Sequence, residues 1–550
     1  MLSRIHLRVG FAVSLVLLLS ACDPAPPSEP APTQAPSLAI EKPPAPAQAA
    51  TPQNSDAGSG AVSTGAVGAV EPLDCKKITS SSDPNTLLRP NVSCGRLSVP
   101  ELHSDPNGKR IKIGFAQFKS GLTTPAKDAV LFVGDPGFSG MVWVSYWEYE
   151  FINKLLQGRD FVVVDTRGAG QSDPALKCNG ELDEIVAGAS KKALTAEDWD
   201  ALSRSQAERC KAAWQTAGVN LAAYNSAEIA QDLDDVRRAL GYEKLDVWGS
   251  SYGTVPVQLL MKLRPDIVRS AVLDSPIPSQ ANLHTAAAPA IERVLNQVFE
   301  TCQADAKCNK GYPDFKQVFF DTVNKLNGKP MRINVTKPKG DFMDYFANGN
   351  DLINAAVRYL GYGEDAVENL PGDLYAFAFR GQKSMVESTL RNMLWATDNR
   401  SGAASLAVFC MDEGAATSGE DVKTTYSEAM QPYGDVFGVG TRAEICKAWG
   451  LPQLAGSEDA VTSDIPTLIL SGDWDLNTLP DWPAQVAQGL KNSYSFRFFK
   501  YAADAGLTYN DQCASTMLAT FVANPSQAPE STCMRSLSPL AFEIKAVERK

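Results

Sequence analysis

Gly249-Ser250-Ser251-Tyr252-Gly253 follows the apolar run Leu245-Asp246-Val247-Trp248 and precedes a helical pattern that starts at Val255. A G-x-S-x-G between a strand and a helix is the setting of a nucleophile elbow, a sharp turn that presents a serine hydroxyl. Near neutral pH that hydroxyl is a poor nucleophile unless a base takes its proton. The chain has three histidines, His6, His103 and His284, so none follows residue 284. The turn that suggests acyl transfer therefore comes without an imidazole where its partner belongs.

Outward from the elbow, residues 129–133 and 161–164 are short, near-continuous apolar runs, each followed by a Gly-rich turn. Such runs suit strands buried on both faces of a parallel sheet. Residues 245–248, 268–273 and 467–470 repeat the pattern, with helical periodicity at 227–240 and 254–264 between them. This alternation predicts an α/β fold with a doubly wound, mostly parallel sheet. Residues 95–100 and 110–118 alternate apolar and polar side chains around Ser104-Asp105-Pro106-Asn107-Gly108, which predicts a hairpin. Between 279 and 463 the strand signal fades and helical periodicity takes over, for example at 287–302, 315–326, 351–360 and 374–390. An inserted helical cap is expected there, over the carboxyl ends of the strands, where open α/β sheets hold ligands.

Arg4 and Arg8 precede an apolar run at 11–19 that is too short to span a bilayer, the pattern of a signal peptide. The run ends in Leu19-Ser20-Ala21-Cys22, which resembles a bacterial lipobox, so Cys22 is the expected lipid attachment site and new N-terminus. Residues 23–72 are dominated by Pro, Ala, Ser, Thr and Gly and cannot bury enough apolar surface to offset the entropy of ordering. A tether of that length has a root-mean-square reach of ~40 Å. The expected plan is a lipoprotein signal peptide at 1–21, a tether at 22–72, a sheet domain at 73–280 and 464–550, and the cap at 281–463. The expected location is the bacterial cell envelope, with the protein anchored to a membrane through the Cys22 lipid on the periplasmic or outer-surface side. A net charge of −12 without a long basic block argues against nucleic acid as a partner.

Ten cysteines follow Cys22: Cys75, Cys94, Cys178, Cys210, Cys302, Cys308, Cys410, Cys446, Cys513 and Cys533. An even number in an exported chain points to disulfides. Spacing leaves the connectivity open, and pairing neighbours in order is the economical expectation. With no C-x-x-C pairs and no nearby histidines, no metal and no cofactor is expected.

Four further stretches flank the elbow: Gly134-Asp135-Pro136-Gly137, Asp165-Thr166-Arg167-Gly168-Ala169-Gly170-Gln171-Ser172, Val272-Leu273-Asp274 and Ser471-Gly472-Asp473-Trp474-Asp475 with Asn477-Thr478-Leu479-Pro480. In this order they resemble the tripeptidyl and prolyl aminopeptidase family of α/β-hydrolases, over nearly all of the chain after the tether. The resemblance implies an α/β-hydrolase fold and an activity that releases short peptides or residues from peptide N-termini. It implies Ser251 as nucleophile, Asp475 as the acid that orients a histidine, and the Tyr252 N–H as one oxyanion donor. It also implies that Cys410 pairs with Cys446, and that acidic cap residues bind a free amino terminus, for which Asp412 and Glu413 stand in the right place.

Two departures from that pattern bear on chemistry. Where the family carries its histidine, this chain has Gly506 or Leu507, and neither accepts a proton. In a well-studied serine protease, losing the histidine costs ~10⁶-fold in turnover. Where the family shows Gly-Gly-Pro-Gly, this chain has Asp135, whose backbone amide would supply the second oxyanion donor while its carboxylate opposes an oxyanion. Candidate substitute bases are His284, at the cap's edge, then Lys500 and His103. The expected function is an exported, lipid-anchored homologue of the serine aminopeptidases with weak or no hydrolysis, its cleft kept for a peptide or small ester-like ligand. The alternative is an active serine peptidase or esterase that uses Ser251 with an unconventional base.

Overall fold

The computed structural model describes residues 68–78, 86–145, 147, 149–413, 419–499 and 512–545. The calls on Cys22, on residues 1–67 of the leader and tether, and on Lys500, Gly506 and Leu507 lie outside the described residues. In chain order the strands are β1 Val70–Leu73, β2 Val92–Pro100, β3 Arg110–Phe118, β4 Ala129–Val133, β5 Asp160–Val164, β6 Leu245–Ser250, β7 Val268–Asp274, β8 Met331–Thr336, β9 Phe342–Ala347, β10 Thr467–Gly472 and β11 Ser493–Phe498.

Nine of these make one sheet in the order β1-β2-β3-β5-β4-β6-β7-β10-β11. From β5 to β11 neighbouring strands are parallel, while β1, β2 and β3 add an antiparallel edge. The apolar runs form strands buried on both faces because alternate side chains feed different layers. Ala129, Leu131 and Val133 of β4 pack into one apolar cluster, and Val130 and Phe132 into the other. The chain leaves β4 for β5 on one side and then returns to β6 on the other. Such a reversal leaves a crevice at the carboxyl ends of the strands.

The Asp165–Ser172 motif secures this edge of the crevice. The Asp165 carboxylate accepts from the Ser139 hydroxyl at 2.9 Å and from the amides of Met141 and Gln171 at 2.9 and 2.7 Å, which ties the turn after β4 to the turn after β5. Arg167 is fully buried and grips Asp232 of helix Ser226–Leu240 with two bonds of 2.8 Å. It also donates to the carbonyls of Glu101 and Ala223. A buried guanidinium is tolerable only with such full pairing.

Between β7 and β10 lies the mostly helical insertion, with its own apolar cluster. It differs from the sequence reading in two ways. It contains a two-stranded antiparallel hairpin, β8 with β9, whose alternation was hidden within a helical stretch. The expected single helix over 374–390 is two helices, Glu364–Arg380 and Ser384–Asn399, separated at Gly381, which takes a left-handed φ of 67°.

Packing also cuts across chain order. Ile185, Ala189 and Leu194, before the elbow, belong to the insertion's cluster, and Leu540 and Phe542 pack against it. Helices Gly402–Glu413 and Val439–Trp449 instead send Val408, Phe409, Ile445 and Trp449 into the cluster on the sheet. Five disulfides join the ten described cysteines in sequence order: Cys75–Cys94, Cys178–Cys210, Cys302–Cys308, Cys410–Cys446 and Cys513–Cys533. No helix among the described residues is long and apolar enough to cross a membrane.

Candidate active site

Ser251 stands at the carboxyl end of β6 with φ 51°, a left-handed conformation rare for a residue with a side chain, and is 4 % exposed. The turn closes because its two glycines lack side chains. A Cβ on Gly253 would lie 2.3 Å from the Val133 carbonyl oxygen, and one on Gly249 would lie 2.4 Å from that of Gly253. The helix that follows, Thr254–Leu263, is pinned to the turn by the Thr254 hydroxyl, which donates to the Ser251 carbonyl at 2.6 Å.

The residue after the nucleophile points its amide where an oxyanion would form. In this chain that amide is engaged: the Tyr252 N–H donates to Asp135 Oδ1 at 2.8 Å. The Ser251 hydroxyl and the Gly253 amide face the same carboxylate. Burial pushes the Asp135 carboxyl up to about 6, against the pull of these donors, and the nearby Asp475 charge pushes in the same direction as burial. Asp135, expected to contribute a backbone amide, enters the site as a carboxylate.

Asp475, in the turn after β10, is 1 % exposed. Its Oδ1 accepts from the amides of Asn477 and Thr478 at 2.8 and 3.1 Å, and its Oδ2 from the Thr478 hydroxyl at 2.5 Å. Ser275, itself at φ 55°, adds a hydroxyl. Burial raises the Asp475 carboxyl despite these bonds. Arg293 donates to the carbonyls of Asp473 and Asp475 and puts a positive charge behind the turn.

A cavity of about 210 Å³ lies over the elbow. Phe138, Ile277, Leu283, Val408 and Phe409 form apolar walls, while Asp135, Ser251, Tyr252, Arg442 and Asn477 bring polar groups to it.

Known proteins are similar to this chain in sequence. The "alpha/beta hydrolase fold" family matches residues 130–321. Serine protease Hip1 of Mycobacterium tuberculosis is 25% identical over 441 residues, 75% of this chain and 82% of that protein. Tripeptidyl aminopeptidase of Streptomyces lividans is 32% identical over 209 residues, 35% of this chain and 38% of that protein. The chain has the α/β-hydrolase fold. A thermophilic esterase from Thermogutta terrifontis aligns over 78% of this chain and 99% of its own at 12% identity, with a TM-score of 0.36, too low to carry an argument.

The remaining candidates stand away from Ser251's cavity. His284 is 1 % exposed, in the first turn of helix Leu283–Ala304, and does not line the cavity. Its ring packs edge-on against Phe409, a wall residue of the cavity, at 4.8 Å between centroids. His103 belongs to the buried Arg167 network, 2.5 Å from Glu228 and 3.2 Å from Asp235. Burial alone would lower it, but hydrogen bonds to Asp235 and Glu228 prevail and hold the ring up at about 9.

Asp412 and Glu413, expected to meet a ligand's amino group, do not line the cavity. The Asp412 carboxylate accepts from the Ser226 amide at 3.1 Å, the Ser226 hydroxyl at 2.5 Å and the Tyr252 hydroxyl at 3.1 Å. Glu413 accepts from the Leu283 amide at 2.8 Å. Burial pushes Asp412 up to about 6 and Glu413 up to about 8. Asp412 ties the insertion to the sheet domain through Ser226 and Tyr252, while Glu413 joins two helices within the insertion.

The residue that sequence reasoning missed is Arg442. Its guanidinium stands 4.2 Å over the Phe409 ring, and the residue lines the cavity. The cysteines carried the signal: Arg442 is one helical turn before Cys446, Phe409 directly precedes Cys410, and the disulfide sets those turns face to face.

Proposed function

We propose that this chain is an exported, lipid-anchored α/β-hydrolase of peptidase descent whose cleft binds a peptide or small ester-like ligand, with weak or no hydrolysis. One observation carries the reading: the Tyr252 N–H is donated to the chain's own Asp135 carboxylate. An oxyanion that formed on Ser251 would have to displace that carboxylate and develop its charge beside it, where a water-poor site magnifies repulsion. The acid–base relay is also incomplete, because Asp475 spends its oxygens on Ser275, Asn477 and Thr478 and no histidine follows residue 284. The names of the relatives, a serine protease and a tripeptidyl aminopeptidase, supply the peptide-like ligand class. Five disulfides support export, and the Leu19-Ser20-Ala21-Cys22 run supports the lipid anchor at the cell envelope. The test is turnover of tripeptidyl and aminoacyl nitroanilides and nitrophenyl esters by wild type and Ser251→Ala. Equal background rates are expected; a rate that Ser251→Ala removes would overturn the binding reading.

A second reading rests on the same carboxylate. Asp135 faces the Ser251 hydroxyl with its carboxyl raised to about 6, so it can take a proton from the serine in a slow reaction. In that case Asp135→Gly abolishes Ser251-dependent turnover. If the carboxylate is a plug, Asp135→Gly increases it.

A further inference from the structure

The cavity over Ser251 carries a cation, Arg442. Arg442 lines it, and among the described residues no carboxylate lies within ion-pair distance of its guanidinium. Its Nε is buried with no hydrogen-bond partner. Three acids near this part of the cleft are committed elsewhere. Glu413 bonds the Leu283 amide; Asp435 accepts from the Tyr426 hydroxyl and the Thr441 amide; Asp412 holds Ser226 and the Tyr252 hydroxyl. Burial lowers the Arg442 guanidinium from its ordinary value, against the opposing charges of Glu413 and Asp435. A guanidinium stays charged in such a setting.

We infer that the cleft takes a ligand ending in a carboxylate on an apolar body, with the carboxylate paired to Arg442 and the body against Phe138, Ile277, Leu283 and Val408. The inference rests on the binding reading of the cleft and names its ligand class. An arginine fork matches a carboxylate with two parallel N–H···O bonds, and the low-dielectric walls strengthen that pairing. Phe409, stacked under the guanidinium, holds the fork in place. Asp135 also lines the cavity, so an anionic ligand is favoured with its charge on Arg442 and away from that carboxylate. The volume of about 210 Å³ is small for a ligand pocket and suits a single short apolar segment.

Two sources share this chemistry: a free apolar acid and the carboxyl terminus of an apolar peptide. Calorimetric titration of the full chain with octanoate, octanamide and octylamine, and with acetyl-leucyl-leucine and its amide, separates charge from body and acid from peptide. We expect saturable binding of at least one of the two acids, with its own neutral amide weaker by about tenfold or more, since a charge-assisted bond contributes roughly 1.5–3 kcal/mol. Which acid binds more tightly identifies the source. Arg442→Gln is expected to remove the difference between acid and amide, and Arg442→Lys, which keeps the charge but loses the fork, to keep part of it. An amide that binds as tightly as its acid, an acid preference unchanged in Arg442→Gln, or no saturable binding of either acid would each overturn the inference. The nitroanilide and ester assay reads Ser251 and not Arg442, so failure of this inference and failure of the binding reading give different signatures.

Discussion

A carboxylate oxygen and the oxyanion of an acyl-transfer intermediate ask for the same partners, N–H donors that converge on negative charge. Asp135 meets that demand permanently, accepting from Tyr252 at 2.8 Å with Ser251 and Gly253 beside it. The bond should be visible in solution. With the carboxyl raised to about 6 by burial, the Tyr252 amide resonance is expected to move with a midpoint near pH 6, because a neutral acid is the weaker acceptor. Asp135→Asn should abolish that titration; an amide signal flat from pH 4 to 8 in the wild type would contradict the contact. The two glycines of the turn allow a second check. Gly253→Ala would place a Cβ 2.3 Å from the Val133 carbonyl oxygen, backbone that cannot rotate away. A loss of about 3 kcal/mol or more is expected on chemical denaturation, at the upper end of overpacking costs.

At the scale of elements, helices Gly402–Glu413 and Val439–Trp449 build one wall of the cavity, and Cys410–Cys446 binds them together. Replacing both cysteines by serine should lower stability by about 3 kcal/mol on denaturant titration, since the bridge closes a medium-length loop. An unchanged denaturation midpoint would show that packing alone holds the wall. The same region marks the limits of the sequence. Strands such as residues 129–133 and 245–248 were legible because a fully buried parallel strand leaves little but apolar residues. The elbow was legible because few backbone paths tolerate its close approaches. The β8–β9 hairpin was not, since its alternating side chains sit in a helical neighbourhood and their partner layer is set only by folding. Nor were the directions of Asp135, Asp412 and Glu413 legible. Sequence shows that a carboxylate is present but not whether it faces a cavity, an amide or the core. Arg442 was hidden for the same reason, although the Cys410–Cys446 pairing would have pointed to it.

Across the whole molecule, the buried network of His103, Arg167, Glu228, Asp232 and Asp235 links the hairpin turn after β2 to helix Ser226–Leu240 and to the turn after β5. His103 is held at about 9, above its ordinary 6.5, so its contribution to stability is complete below pH 6.5 and is lost as pH rises through 9. The raised carboxyls of Asp412, near 6, and Glu413, near 8, act in the same direction, favouring the folded state at lower pH. Thermal midpoints should therefore fall between pH 6.5 and 9, and His103→Gln should flatten much of that slope. A midpoint that rises over this range would contradict the network's assignment. Arg167 and Asp165 hold the sheet and its turns together by bonds that need no base at Ser251. What the scaffold does with its cleft turns on whether Ser251 is activated. Fluorophosphonate labelling of the folded, disulfide-intact protein, with Ser251→Ala as control and mass spectrometry to locate the adduct, tests that directly. The account predicts no adduct at Ser251 in the wild type and a gain of about tenfold or more in labelling rate for Asp135→Gly, in which an oxyanion donor is released. Rapid stoichiometric labelling of wild-type Ser251 would contradict it.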